Sequence, residues 1–148
     1  LMNEAQPIEK GNETIWLLRL DDVHYYETGD LDKAVKCAPE NAVRILLVHS
    51  PEIIPEAVQS GMDLYLCGHS HGGQICLPGG TPIITHCRCP RTYKAGPWQY
   101  DSMRGYTSRG VGTSLFPIRL FCHPEIIIHT LRKAPLKSGT ANAQSHIR

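Results

Sequence analysis

RILLVHSPEIIPEAVQSGMDLYLCGHSHGG, residues 44–73, is the stretch that decides the architecture of this chain. Residues 44–48 form a nearly continuous apolar run leading to His49, and residues 62–67 form a second one leading to Gly68 and His69. Runs without polar alternation predict strands buried on both faces. Between them, residues 51–60 place Pro51 and Glu52 where a helix favours them in its first turn, with Gly61 just past the end. Strand, helix and strand make the unit of a parallel sheet, here with a short crossover.

Upstream, residues 14–20 (TIWLLRL) read as a further strand closed by Asp21 and Asp22. Residues 30–38 (DLDKAVKCA) space Leu31, Ala34 and Val35 as one helical face, with Asp30 as N-cap and Pro39 as the stop. Beyond Gly72 the pattern changes. Residues 73–77, 106–109, 117–121 and 125–131 are short strand-like runs separated by Gly and Pro, which predict an antiparallel sheet, EIIIHTL at 125–131 most clearly. Residues 1–132 therefore read as one folded unit. The polar, small-residue stretch 133–148 reads as a disordered tail.

Bulk composition narrows the function classes. The chain has 148 residues, 41% hydrophobic and 20% charged, which suits one globular domain. A formal charge of +1 offers no broad attraction to nucleic acid, so phosphate recognition must be local. No apolar run approaches the ~20 residues that span a bilayer, and nothing at the start resembles a signal peptide. The chain opens on Leu1 with its first methionine at Met2. An upstream portion outside the sequence is therefore expected, and membrane association, if any, is assigned to it; the expected location is cytoplasmic. The six cysteines include no C-x-x-C pair and read as reduced thiols. His86-Cys87-Arg88-Cys89 lacks the second ligand pair of a zinc site and reads as a surface loop.

Parallel neighbouring strands deliver His49 and His69 at their C-terminal ends, the edge where open α/β sheets hold ligands. His71 follows two residues on, and Gly68, Gly72 and Gly73 permit the tight turn that would bring both loop histidines into one crevice. Neutral imidazole is a good ligand for zinc, manganese and iron ions. A single histidine after a strand is ordinarily a satisfied structural residue, and a lone H-x-H is common. The conjunction of a strand-ending His with a strand-ending G-H-S-H-G-G is what points to metal at His49, His69 and His71.

LLVHSPE (residues 46–52) and DLYLCGHSHGGQICLP (residues 63–78) resemble the last two signature blocks of calcineurin-like metallophosphoesterases. LDDVHYYETGDLDKAV (residues 20–35) and RGYTSRGVGTSLFPIRLFCHPEIIIHTL (residues 104–131) are similar to the branch with membrane-associated bacterial phosphoesterases and UDP-diacylglucosamine pyrophosphatases. The resemblance covers residues 3–131. It implies the C-terminal half of a four-layer α/β/β/α sandwich that holds two divalent ions, of Mn, Zn, Fe or Co type, whose bridging hydroxide attacks phosphorus in line. His49 and His69 would serve the second metal and His71 the first. The implied substrate is a phosphoester or nucleotide-lipid molecule, and the implied partner is the N-terminal half of the same domain.

The family's earlier motifs, Asp-x-His, Gly-Asp and Gly-Asn-His, have no convincing counterpart here. Asp22-Val23-His24 and Gly29-Asp30 lie too close together to hold the intervening strand and helix. Asp22 and His24 are therefore read as loop residues after the first strand, and Arg91, Tyr93 and Arg109 as solvated side chains outside the site. The resulting expectation is a metal-dependent phosphoesterase half that is inactive alone; a non-catalytic remnant or binding module is the alternative. A cupin-type metal barrel also uses H-x-H, but it lacks a strand-helix-strand unit and adds a Glu shortly after the pair.

Overall fold

The computed structural model describes residues 3–24 and 29–133. Six strands form one sheet in the order β1-β2-β3-β4-β6-β5. They are β1 (Glu4–Lys10), β2 (Glu13–Arg19), β3 (Val43–Leu47), β4 (Leu64–Cys67), β5 (Gly96–Tyr100) and β6 (Met103–Thr107), with helices α1 (Leu31–Lys36) and α2 (Ile54–Gln59). Strands β2, β3, β4 and β6 run parallel to their neighbours, while β1 and β5 pair antiparallel at the two edges. The α/β class and the strand-helix-strand unit stand as expected. Of the sandwich layers that the resemblance implies, the described residues supply this sheet and its helices.

Register explains the core. Leu18, Leu46, Tyr65 and Gly105 are paired in succession across β2, β3, β4 and β6, and Gly105 pairs with Trp98 on β5. Leu18, Leu46 and Tyr65 are fully buried in one cluster with Ala34 of α1 and Ile54 and Ala57 of α2. Both helices therefore cover the same face. The indole of Trp98 occupies the space above Gly105, where an added Cβ would meet ring carbons at 2.1–2.3 Å. Its Nε1 donates to Thr107 Oγ1 at 2.9 Å. On the opposite face Leu17, Leu47, Leu64 and Leu66 are only half-buried, as alternation along a strand requires for residues next to the core row.

Asp30 caps α1 as expected, its carboxylate accepting from Lys33 N at 2.9 Å. For α2 the expected start is corrected: the helix begins at Ile54 with Pro55 in its first turn, and Pro51 and Glu52 precede it. Arg44 is buried although it opens the apolar run of β3. Its guanidinium donates to the carbonyls of Ala38, Pro39 and Ser60, tying the ends of both helices together.

Two strands escape the sequence reading. The first is β1, polar and interrupted by Pro7, which is tolerated because β1 is an edge strand; Gly11, with φ +62°, turns it into β2. The other is β5, whose alternating burial starts from Gly96-Pro97. The second-half strands are corrected too. Of residues 106–109, only 106 and 107 are in a strand: they end β6, which joins the main sheet parallel to β4 and antiparallel to β5. Residues 73–77 and 117–121 contribute only isolated bridges, Ile75 with Leu120 and Cys76 with Pro82. Residues 125–131 form no strand and stay outside the six-stranded sheet. Ile126 and Ile128 stand 84% and 89% exposed. The tail expected over 133–148 lies outside the described residues save for Lys133, whose ammonium pairs with Glu13. Among the described residues no helix is long and apolar enough to cross a membrane.

Candidate metal centre

His49 lies two residues past β3 and His69 two residues past β4. The ladder continues beyond both strands, Val48 N donating to Leu66 O and Gly68 N donating to His49 O at 3.0 Å. The two histidines are thereby carried to the same sheet edge. His69 Nδ1 lies 3.0 Å from His49 Nε2, and the rings meet edge on with centroids 4.8 Å apart.

The loop from Gly68 to Gln74 is strained. His69 (φ +66°), His71 (+50°) and Gln74 (+56°) are left-handed without being glycine. Ser70 stabilises it: its hydroxyl accepts from Gly72 N at 3.2 Å and donates to the carbonyl of Lys94. Gly73 is left-handed and has no room for a side chain, since an added Cβ would lie 2.4 Å from Pro82 Cβ. Gln74 is buried and fastens the far wall, donating to Phe116 O at 2.7 Å and accepting from Ser114 N at 2.6 Å.

His49, His69 and His71 all line one cavity of about 480 Å³ together with Ile83, Ile84 and Phe116. The structure thus brings His49 and His69 together at one sheet edge and puts His71 on the wall of the same cavity. Burial pushes the His69 imidazole below its ordinary pKa, and nearby His24 and His49 add to this against the opposing His86 carbonyl. Burial and then the Arg119 guanidinium lower His71 likewise. Both rings are therefore held toward the neutral, ligating form.

The fit to metal is partial. Two imidazole nitrogens facing each other suit one shared ion of zinc or manganese type. His71 Nδ1 lies 3.5 Å from the Arg119 guanidinium, and among the described residues no group of three or more His, Cys, Asp or Glu is arranged to hold a metal ion. The donor set here does not by itself fit a pair of dications, which need carboxylates between them.

Residues around the pair were only partly foreseen. His24 packs against His69 with the rings tilted by 48° and centroids 4.3 Å apart, and its Nδ1 lies 2.7 Å from Glu52 Oε1. Glu52 Oε1 also accepts from Arg88 N at 2.8 Å. His24 therefore borders the site, while Asp22 turns its carboxylate to the backbone of His24. The spacing of Glu52, three residues after His49, was the available signal. Arg109 is engaged with Glu125 at 3.0 Å, and Tyr93 packs edge on against Trp98. Neither reaches the cavity lining.

No family profile matches the chain, and no solved structure matches it at a significant level. Among curated proteins it is similar to the uncharacterized metallophosphoesterase YkuE of Bacillus subtilis, 41% identical over 88 residues, which cover 60% of this chain and 30% of that protein. It is 37% identical over 107 residues to the phosphodiesterase YaeI of Escherichia coli, covering 67% of this chain and 37% of that one. It is also 33% identical over 133 residues to the protein YpbG of Bacillus subtilis, covering 88% and 47%. The chain thus spans less than half the length of these relatives. Six of its relatives are named metallophosphoesterase or phosphodiesterase at 30–41% identity, so over the part it shares with them the chain is similar to metallophosphoesterases.

Proposed function

We propose that this chain contributes part of a metal-dependent site that hydrolyses a phosphoester or pyrophosphate bond. The observation that carries the reading is the 3.0 Å approach of His49 Nε2 and His69 Nδ1 at the C-terminal edge of β3 and β4. His49 and His69 would hold one divalent ion, and His71 would face a second supplied with ligands from outside this sequence. Bound divalent ions supply Lewis acidity toward phosphoryl oxygens and lower the pKa of coordinated water, the two-metal chemistry of the family.

The chain's own residues do the positioning. The His86 carbonyl, 3.2 Å from His69 Nε2, orients that ring, and the strained loop holds His71 in place. Ile83, Ile84 and Phe116 give the cavity an apolar wall beside the histidines. Such a wall supports a substrate with an apolar portion, in keeping with a nucleotide-lipid type molecule. The remaining ligands, including carboxylates, belong to an N-terminal half of the domain. The half-buried leucines of the outer sheet face and the exposed Ile126 and Ile128 would pack against that half. All six cysteines are free thiols, which supports a cytoplasmic setting, with any membrane contact left to a segment beyond this sequence.

The alternative, a binding module without catalysis, is favoured by the absence of a complete ligand cluster among the described residues. Reconstitution separates the two. Joined to a family N-terminal half carrying Asp-x-His, Gly-Asp and Gly-Asn-His, the chain should hydrolyse bis(p-nitrophenyl) phosphate with added Mn²⁺, and His69→Ala or His71→Ala should abolish turnover. Turnover unaffected by both substitutions would overturn the reading.

A further inference from the structure

We infer that Cys87 and Cys89 form a dithiol that closes into a disulfide by exchange with a small-molecule disulfide, a modification site in the loop bordering the histidine cavity. The two free Sγ atoms lie 2.8 Å apart, in hydrogen-bond contact and closer than unbonded sulfurs ordinarily approach. The loop that holds them is anchored on both sides. His86 O meets His69 Nε2, and Arg88 N donates to Glu52. Cys87 is buried at 7% exposure, whereas Cys89 is more open to solvent.

That difference sets the order of attack. The hydrogen bond from Cys87 holds the Cys89 thiol below its ordinary pKa against burial, and Lys94 assists. The same hydrogen bond pushes the Cys87 thiol up. The thiolate of Cys89 attacks one sulfur of oxidised glutathione, whose S–S bond breaks and releases one glutathione thiolate. Cys87, as thiolate, then attacks Cys89 Sγ and expels the second. Two protein thiols lose two electrons and two protons, and one glutathione disulfide becomes two glutathione thiols. A disulfide spanning a single intervening residue belongs to the labile, readily reduced kind.

The test uses the whole chain, first reduced and then incubated with oxidised glutathione, alkylated, and cut with trypsin. Cleavage after Arg88 separates the two cysteines. The expected result is the Cys89 peptide linked to Cys87 and freed again by dithiothreitol, with Cys76 and Cys122 alkylated. In Cys87→Ser, Cys89 should instead hold glutathione as a lasting mixed disulfide. Alkylation of both Cys87 and Cys89 after oxidant treatment, or linkage of Cys89 to Cys67, would overturn the proposal. So would an unchanged preference of Cys89 for Cys87 in concentrated urea, which would assign the pairing to chain proximity rather than to the folded loop.

Discussion

The carbonyl of His86 lies 3.2 Å from Nε2 of His69, and because a carbonyl only accepts, this contact puts the imidazole proton on Nε2. His69 Nδ1 is then left with its lone pair toward His49 Nε2, which is the arrangement a metal-ligating histidine needs. The neutral ring should therefore show a single tautomer. In nitrogen-15 NMR above pH 7, Nε2 of His69 should resonate as a protonated nitrogen and Nδ1 as an unprotonated one. The reverse pattern would remove the orienting role of His86.

Protonation of the site opposes folding. The pKa values of His69 and His71 are lowered in the fold, so the unfolded chain binds more protons than the folded one once pH falls toward the ordinary histidine value of ~6.5. Their contribution to stability is complete above that value and is lost as pH falls through it toward the folded values. Denaturant midpoints measured from pH 8 to pH 5 should fall, and the fall should shrink in the His69→Gln, His71→Gln double variant.

Gly105 is irreplaceable for a steric reason. An alanine there would drive its Cβ into the Trp98 ring, which is itself wedged against Tyr65 with centroids 5.4 Å apart. Gly105→Ala should cost about 1–3 kcal/mol, as overpacking of a filled core does. Chemical denaturation gives the value. A neutral effect would mean that Trp98 is free to move off the sheet.

Arg119 joins the loop after β6 to His71. Its guanidinium donates to the carbonyls of Arg109 (2.6 Å), Gly110 (3.2 Å), Gly112 (2.6 Å) and His71 (3.3 Å). Lysine lacks the planar fork for this set. Arg119→Lys and Arg119→Met should both speed amide exchange in residues 109–112 by about tenfold or more, the scale expected from losing ~1.5 kcal/mol of charge-assisted bonding. Protection equal to that of the unaltered chain would show that the loop holds itself.

Much of this was legible in the chain because its signals were local. The apolar runs before His49 and His69 specified adjacent parallel strands, and Asp30 specified a cap. That much sufficed to bring His49 and His69 together, since strand direction decides which edge each reaches. What stayed hidden depended on partners. EIIIHTL has strand composition, yet it pairs with none of the six strands of the sheet. Polar β1 becomes a strand because β2 offers it an edge, and Glu52 binds His24 across 28 positions of sequence. The resemblance pointed to the metallophosphoesterases but could not show that Cys87 and Cys89 touch.

The central claim is that His49 and His69 share a metal ion, and calorimetric titration of Zn²⁺ or Mn²⁺ into the purified chain tests it most directly. The account predicts about one ion per chain, bound weakly for want of carboxylates, with affinity falling as pH drops below ~6.5 toward the lowered pKa of His69. His49→Ala and His69→Ala should each abolish the binding while the circular dichroism spectrum stays unchanged. Tight binding of two ions, or binding that survives both substitutions, would contradict it.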